Sequence, residues 1–273
     1  MYKNYSVLMS VYYKEKSEYL RESIESMMNQ TIVTDDFVIV CDGPLTNELD
    51  LVINEFTMKY PDIFNVVRLP ENVGVGEALS KVLILCRNEL IARMDSDDIS
   101  ISDRCERELE CFNRYNVDIV SGTVWEFVGS IENLTVKRIL PQNHDDIVKF
   151  AKRRNPFSQP TIMFRKSIAL ESGGYKPFHL CEDYYLWIRM LMNGAIGYNI
   201  QKPILYMRSG DGMYDRRSGF LYLKSMLRFR KYMYHVHFSS FKDLAISSIG
   251  QCIVCLSPKA IRKLLYYKLL RKK

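Results

Sequence analysis

The sequence predicts an α/β fold, a mainly parallel sheet flanked by helices on both faces, followed by a helical, basic C-terminal extension. Three observations carry this. Short apolar runs alternate with helix-spaced segments through the first half of the chain. Those runs show little polar alternation, as expected of strands covered on both faces. Charge is unevenly divided: from residue 221 onward twelve Lys and Arg face one acid, Asp243, although the whole chain carries only +6.

Each element has its own signal. Ser6 to Val11 is a short apolar strand, and Glu18 to Asn29 follows with Leu20, Ile24, Met27 and Met28 at helical spacing. Phe37 to Cys41 is a second strand, stopped by Asp42-Gly43-Pro44. Leu49 to Tyr60 reads as a helix ended by Pro61, and Asn65 to Leu69 as a third strand. A helix over Glu77–Asn88 leads to a fourth strand, Glu89–Met94, which runs into acids. A helix over Asp103–Tyr115 and a strand over Asp118–Ser121 close the regular alternation. Residues 122–140 then read as β-structure, Thr161–Phe164 as a short strand, Ser172–Tyr175 as a tight turn and Asp183–Met192 as a helix. Beyond about residue 215 the chain turns helical, aromatic and basic. One catalytic domain, 1–215, and an extension, 216–273, are expected, with no internal repeat.

Seven scattered cysteines and an N-terminus unlike a signal peptide suggest a reduced, cytoplasmic setting. Cys252-Ile253-Val254-Cys255 has metal-knuckle spacing but no second pair. The four histidines show no metal-site spacing. In Gly74-Val75-Gly76 the third glycine of a dinucleotide fingerprint is missing, which argues against a dehydrogenase.

The chemical signal is Asp95-Ser96-Asp97-Asp98 at the carboxyl end of the fourth strand. Clustered carboxylates repel unless a cation joins them, and hard oxygen ligands favour magnesium or manganese over zinc. The bland alternative is a solvated acidic turn. A second acidic element, Glu182-Asp183, stands about ninety residues later, in a first helical turn where the dipole favours negative charge. In parallel sheets ligands bind outside the carboxyl ends of the strands, and Asp42, Asn72 and Asp95 to Asp98 all fall there. A metal-binding acid cluster with a separate carboxylate suggests transfer from a nucleotide-activated donor. Asp42 is placed to accept the imide N–H of a uracil.

Over nearly all of residues 3–215 the chain resembles family 2 glycosyltransferases of the GT-A fold. The matching pieces come in family order: Ser6 to Tyr12, Gln30-Thr31, Val38 to Gly43, Glu71-Asn72-Val73-Gly74, Asp95 to Asp98, Gly173-Gly174-Tyr175, and Glu182-Asp183 with Trp187. The subgroup is that of amylovoran, O-antigen and capsule transferases, whose Met-Ser-Val-Tyr, Cys-Asp-Gly-Pro and late Gly-Asp-Gly-Met-Tyr with paired arginines all stand here.

The resemblance implies an inverting hexosyltransferase using a UDP-sugar and Mn2+ or Mg2+. Asp183 would be the general base. Tyr12, Asp42, Asn72 and Asp95 would bind the donor, and Arg216 and Arg217 would grip its phosphates. Asp97 and Asp95 would hold the metal, with Asp211 as a further ligand where relatives carry a His. Glu182, Gly174, Tyr175 and Trp187 would line the acceptor site, although Trp187, read from the residues alone, is a core aromatic before it is a cleft one. The acceptor implied is an undecaprenyl-diphosphate-linked sugar in bacterial surface polysaccharide assembly. The narrower expectation is galactose or glucose joined β-1,3 to an N-acetylhexosamine.

Rival readings are an inactive sugar-nucleotide-binding scaffold and a nucleotidyltransferase. The latter would need a glycine- and lysine-rich loop near strand one, and Tyr12-Tyr13-Lys14-Glu15-Lys16 lacks the glycine. At the C-terminus, Ala245–Leu256 is too short to span a bilayer as a helix. Ser257-Pro258 would open a basic amphipathic helix, Lys259–Lys273, suited to an anionic membrane surface. A peripheral location on the inner face of the membrane is expected. Packing of that helix on its own domain or in a homodimer is the alternative, and nucleic acid is not expected.

Overall fold

The computed structural model describes residues 2–209 and 219–258. Asp211, Arg216, Arg217 and the segment 259–273 lie outside the described residues. The elements run β1 (Ser6–Val11), α1 (Ser17–Met28), β2 (Asp36–Cys41), α2 (Asn47–Lys59), β3 (Phe64–Arg68), α3 (Val75–Val82), β4 (Leu90–Asp95), β5 (Ile99–Ser100), α4 (Arg104–Arg114), β6 (Ile119–Val128), β7 (Ser130–Arg138), α5 (His144–Ala151), β8 (Met163–Arg165), α6 (Lys166–Glu171), α7 (Glu182–Met192), β9 (Gly197–Arg208), α8 (Gly219–His235) and α9 (Phe241–Leu256).

The strands form one nine-stranded sheet in the order β3-β2-β1-β4-β8-β6-β9-β5, with β7 added on β6. The first four strands are parallel, as the alternation of apolar runs and helices requires. β8 enters antiparallel between β4 and β6, and β6 pairs parallel with β9. The expected mixed α/β fold with flanking helices is therefore present, and short antiparallel pieces complete the sheet.

Alternate residues of each central strand serve two cores. Val7, Met9 and Ile39 face Leu20, Ile24, Val52, Phe56 and Leu109 on α1, α2 and α4. Leu8, Val38 and Val40 face Ala78, Leu79, Trp187 and Phe229 on α3, α7 and α8. Burial on both faces explains why these strands read as continuous apolar runs. Phe229 of α8 sits 4.7 Å from the Tyr184 ring and 5.1 Å from Phe178. The described part of the extension thus shares the core of the larger unit.

Several boundaries differ from expectation for local reasons. The Glu77–Asn88 helix is shorter, since α3 ends at Val82 and tightens into a 3₁₀ turn, Leu83–Leu85. The Asp118–Ser121 strand continues to Val128 because β9 pairs along most of its length. Thr161 belongs to a 3₁₀ turn, Gln159–Thr161, ahead of β8. The Gln30-Thr31 pair is a fold lock. Gln30 donates to Ser26 O and Ile101 O at 2.9 Å and accepts from Cys105 N at 3.0 Å, which ties the end of α1 to the start of α4. All seven cysteines are free, including Cys252 and Cys255 on α9.

Beneath the carboxyl edge lies a pair the sequence did not announce. Arg104 and Glu108 of α4 are fully buried and 3.3 Å apart. Arg104 also donates to Pro160 O at 2.7 Å and Arg93 O at 2.8 Å, fastening α4 to β4 and the turn beside it. Burial pushes the Glu108 carboxyl up to about 7, although Arg104 pulls the other way.

Candidate active site

Three parallel strands deliver the site to one edge. Ser10 of β1 lies level with Asp95 of β4, and Val11 level with Cys41 of β2. Tyr12, Asp42 and Asp97 therefore follow neighbouring strand ends. Tyr12 is partly exposed and packs edge-on against Tyr13, with ring centroids 6.0 Å apart.

Asp42 is almost fully buried and works as a staple. Its Oδ1 accepts from Val73 N at 2.7 Å and its Oδ2 from Gly74 N at 3.0 Å, while Asn72 Nδ2 donates to Asp42 O at 3.1 Å. The Cys-Asp-Gly and Glu-Asn-Val-Gly motifs are thus two halves of one loop contact. Gly43 is indispensable to it. Its φ is +85°, and a Cβ there would lie 2.7 Å from Asn72 N. Gly43→Ala is expected to cost roughly 2 kcal/mol or more, from left-handed strain plus the clash. Thermal unfolding monitored by circular dichroism measures it. An unchanged melting temperature would show that the loop relaxes freely.

The acid cluster is held by two arginines. Arg93 is buried within β4 and reaches Leu8 O at 3.0 Å, Ser10 Oγ at 3.1 Å and Asp95 Oδ1 at 3.0 Å. Arg208, at the end of β9, donates its backbone N–H to Asp98 Oδ1 at 2.8 Å and its Nε to Asp97 O at 2.9 Å. The Arg208 guanidinium also pairs with Glu22 at 2.5 Å and covers the Tyr19 ring at 3.8 Å. Ser96 Oγ donates to Glu15 Oε2 at 2.7 Å, closing the loop onto the β1–α1 connection. Asp98 is buried, and its desolvation, together with the Asp97 and Asp95 carboxylates, holds its carboxyl well above the usual range. The third acid of the motif therefore serves the loop's structure, and Asp95 and Asp97 remain half-exposed at the edge.

Glu182 and Asp183 occupy the first turn of α7. Asn155 Nδ2 donates to Asp183 Oδ2 at 2.8 Å. Glu182 lies against α3, so close that a Cβ on Gly76 would fall 2.5 Å from its Cγ. Burial raises the Glu182 carboxyl, with Asp183 adding to the effect. The α7 terminus is thereby set beside the Asp42 loop, which leads into α3. Tyr175 is buried, and that burial raises the pKa of its phenol. Asp95, at the end of β4, and Asp183, in the first turn of α7, thus lie on elements that border one edge although distant in sequence.

Three residues of the expected acceptor set have structural roles. Trp187 is fully buried, walled by Phe164 at 5.6 Å and by Phe157 and Tyr175 at 6.3 Å, and has no surface to offer a ligand. Tyr175 is buried beside it. Gly174, at φ +61°, ends α6 by donating to Ala169 O at 2.8 Å. The Gly-Gly-Tyr turn therefore caps a helix and packs a core aromatic behind the edge. Sequence reasoning missed Arg93, Asn155 and Arg208. Arg93 alone left a signal, a charged residue inside an apolar strand.

Among the described residues no group of three His, Cys, Asp or Glu side chains converges as a metal cage. Asp95 and Asp97 nevertheless offer hard oxygen donors at a half-exposed edge. Mg2+ binds through one or two carboxylates plus waters and substrate phosphates, and Mn2+ suits the same oxygen donors, so this pair fits either ion.

Comparisons with known proteins show the family and the fold. The family model described as Glycosyl transferase family 2 matches residues 6–174. A UDP-Gal:alpha-D-GlcNAc-diphosphoundecaprenol beta-1,3-galactosyltransferase of Escherichia coli is 34% identical, covering 98% of this chain and 97% of its own. The amylovoran biosynthesis glycosyltransferase AmsE of Erwinia amylovora is 31% identical over 97% of this chain and 98% of its own. Among solved structures, S. aureus TarS 1-349 in complex with UDP-GlcNAc superposes with a TM-score of 0.63 at 15% identity, covering 98% of this chain and 71% of that one. The mannosyltransferase PcManGT of Pyrobaculum calidifontis, in complex with GDP-Man and Mn2+, gives 0.61 at 15% identity over 97% and 81%.

Proposed function

The chain belongs to glycosyl transferase family 2, and we propose that it moves a hexose from a UDP-sugar onto a lipid-diphosphate-linked sugar, with inversion at the transferred carbon. It is a glycosyltransferase of the kind found in bacterial polysaccharide synthesis. Galactose added β-1,3 to an N-acetylhexosamine is the favoured reaction, supported by the E. coli relative that matches the chain end to end. The observation that carries the mechanism is the seating of the first turn of α7, with Asp183, by Glu182 against α3 beside the Asp42 loop, on the edge where β4 ends in Asp95.

Asp183 accepts the proton of the acceptor hydroxyl as its oxygen bonds to the anomeric carbon. The bond from that carbon to the diphosphate breaks on the opposite face, and UDP leaves. One displacement inverts the centre, so an α-linked donor gives a β-linked product. Asp42, fixed by Val73 N and Gly74 N, shapes the uracil pocket with Tyr12, and Asn72 borders it. Asp95 and Asp97 would hold Mn2+ or Mg2+, which supplies charge neutralisation for the departing diphosphate. Glu182, steered by Gly76, borders the acceptor side. Arg216, Arg217 and Asp211 complete the proposal as phosphate and metal contacts.

Asn155 is a positioning residue here, because it orients Asp183 without touching the reacting atoms. Asn155→Ala is expected to lower kcat roughly tenfold, with the donor KM little changed. Steady-state kinetics under saturating donor tests this, and an unaltered kcat would reduce Asn155 to a fold contact.

The reading as a whole is tested by UDP release from a panel of UDP-sugars, with Mn2+ or Mg2+ and a short lipid-diphosphate-N-acetylglucosamine acceptor. Acceptor-dependent release from one donor supports it. UDP binding without turnover would favour a sugar-nucleotide-binding scaffold, and pyrophosphate release a nucleotidyltransferase.

A further inference from the structure

Antiparallel helices α8 and α9 leave an unusual surface. Their inner side is anchored by Phe229 and Met233 in the core, by Arg230 donating to Arg153 O at 2.9 Å, and by Arg230 reaching Gln251 at 3.1 Å. The outer side of α9 is apolar. Ile246, Ile249, Ile253 and Leu256 recur at helical spacing along one exposed stripe, with Ile249 62% and Leu256 69% exposed. Phe241 is equally bare at the start of the helix. On α8 the exposed side chains include Lys224, Arg228 and Lys231, again at helical spacing.

Charge is one-sided throughout. Between residues 219 and 258 the sole acid is Asp243. Its carboxylate is already taken by Arg153 at 2.6 Å and by Ser240 in a capping box. A groove of about 560 Å³ beside that first turn is lined by Lys149, Lys152, Arg153 and Arg154, with Asp146 as its other acid. The chain beyond, 259–273, adds seven Lys and Arg and no acid.

We propose that the α8–α9 hairpin docks on an anionic phospholipid surface, with the Ile246–Leu256 stripe in the headgroup–acyl boundary and the neighbouring lysines and arginines on lipid phosphates. The occupant follows from complementarity. A second copy would bring basic surface against basic surface, and the segment 259–273 would do the same. Nucleic acid would satisfy the charge but leave the isoleucines uncovered. An anionic bilayer meets both halves of the surface. Among the described residues no helix is long and apolar enough to cross a membrane, so the contact is interfacial. This deepens the proposed function, since a lipid-linked acceptor must be reached at such a surface, but it is measured without turnover.

The test is co-sedimentation of the full chain with phosphatidylglycerol-containing vesicles and with phosphatidylcholine vesicles, at low and high salt. Wild type is expected to bind the anionic vesicles and release in high salt. The double variant Ile249→Glu with Ile253→Glu is expected to bind about tenfold more weakly or worse, while still binding UDP and unfolding at an unchanged temperature. Lys224→Glu with Arg228→Glu and Lys231→Glu should weaken binding and flatten its salt dependence. Failure of wild type to bind would overturn the proposal. So would vesicle binding untouched by the isoleucine changes, or a shift from dimer to monomer in place of lost vesicle binding.

Discussion

Replacing Asp183 by Asn is expected to lower kcat by about 10²–10⁴ while leaving the affinity for UDP within about twofold. The change keeps the size of the side chain and leaves an amide oxygen to accept from Asn155, while it removes the negative charge and the capacity to take a proton. Position explains why one residue carries so much. Asp183 sits in the first turn of α7, set beside α3 by Glu182 and Gly76 and steadied by Asn155. Glu182 is its immediate neighbour but lies over Gly76, and burial raises its carboxyl. It is therefore not expected to stand in. UDP release with acceptor, beside calorimetric titration with UDP, separates the two quantities. A variant that still turns over within tenfold of wild type would remove Asp183 from the chemistry.

Asp97→Asn is expected to reduce kcat/KM about 10³-fold and to raise the Mn2+ concentration needed for half-maximal rate. Of the three clustered acids, Asp98 is buried against Arg208 and Asp95 shares its charge with Arg93. Asp97 lies half-buried at the same edge, with its backbone oxygen pinned by Arg208 Nε at 2.9 Å. The loop should survive the substitution, because Asn keeps the size of the side chain while the bonds at Ser96, Asp98 and the Asp97 backbone stay in place. A metal titration of UDP release is the measurement. Equal metal dependence in variant and wild type would assign the ion to other ligands.

What the sequence revealed, and what it hid, follows from the range of the interactions. Buried parallel strands write themselves as apolar runs, so β1, β2 and β4, and the acids that follow β2 and close β4, were readable at once. The Asp42 and Asn72 motifs were visible as pieces, but their mutual hydrogen bonds join residues thirty positions apart and leave no local mark. Asn155 and Arg208 sit in irregular or strand-end backbone, and their partners at Asp183 and Asp97 are set by the fold alone. Trp187 adjoins Asp183 in the sequence, which suggests the acceptor site as well as the core. Helical geometry turns it inward, onto Phe157, Phe164 and Tyr175, as the core reading has it. The same inward turn shows why the Gly-Gly-Tyr signature is a packing device: it caps α6 and seats Tyr175 behind the carboxylates.

The surface chemistry of the hairpin was legible only in part. Composition gave its charge, but the apolar residues 245–256 looked like a broken run until the helix sorted Asp243, Ser247 and Cys255 inward and the isoleucines outward.

The most direct measurement is proton NMR of the disaccharide unit made by wild-type protein from an α-linked UDP-sugar and a lipid-diphosphate-N-acetylglucosamine acceptor. It reads transfer and stereochemistry together. A single displacement driven by one base at the carboxyl edge predicts a β-linkage. An α-linkage, or no product with any UDP-sugar, would contradict the account.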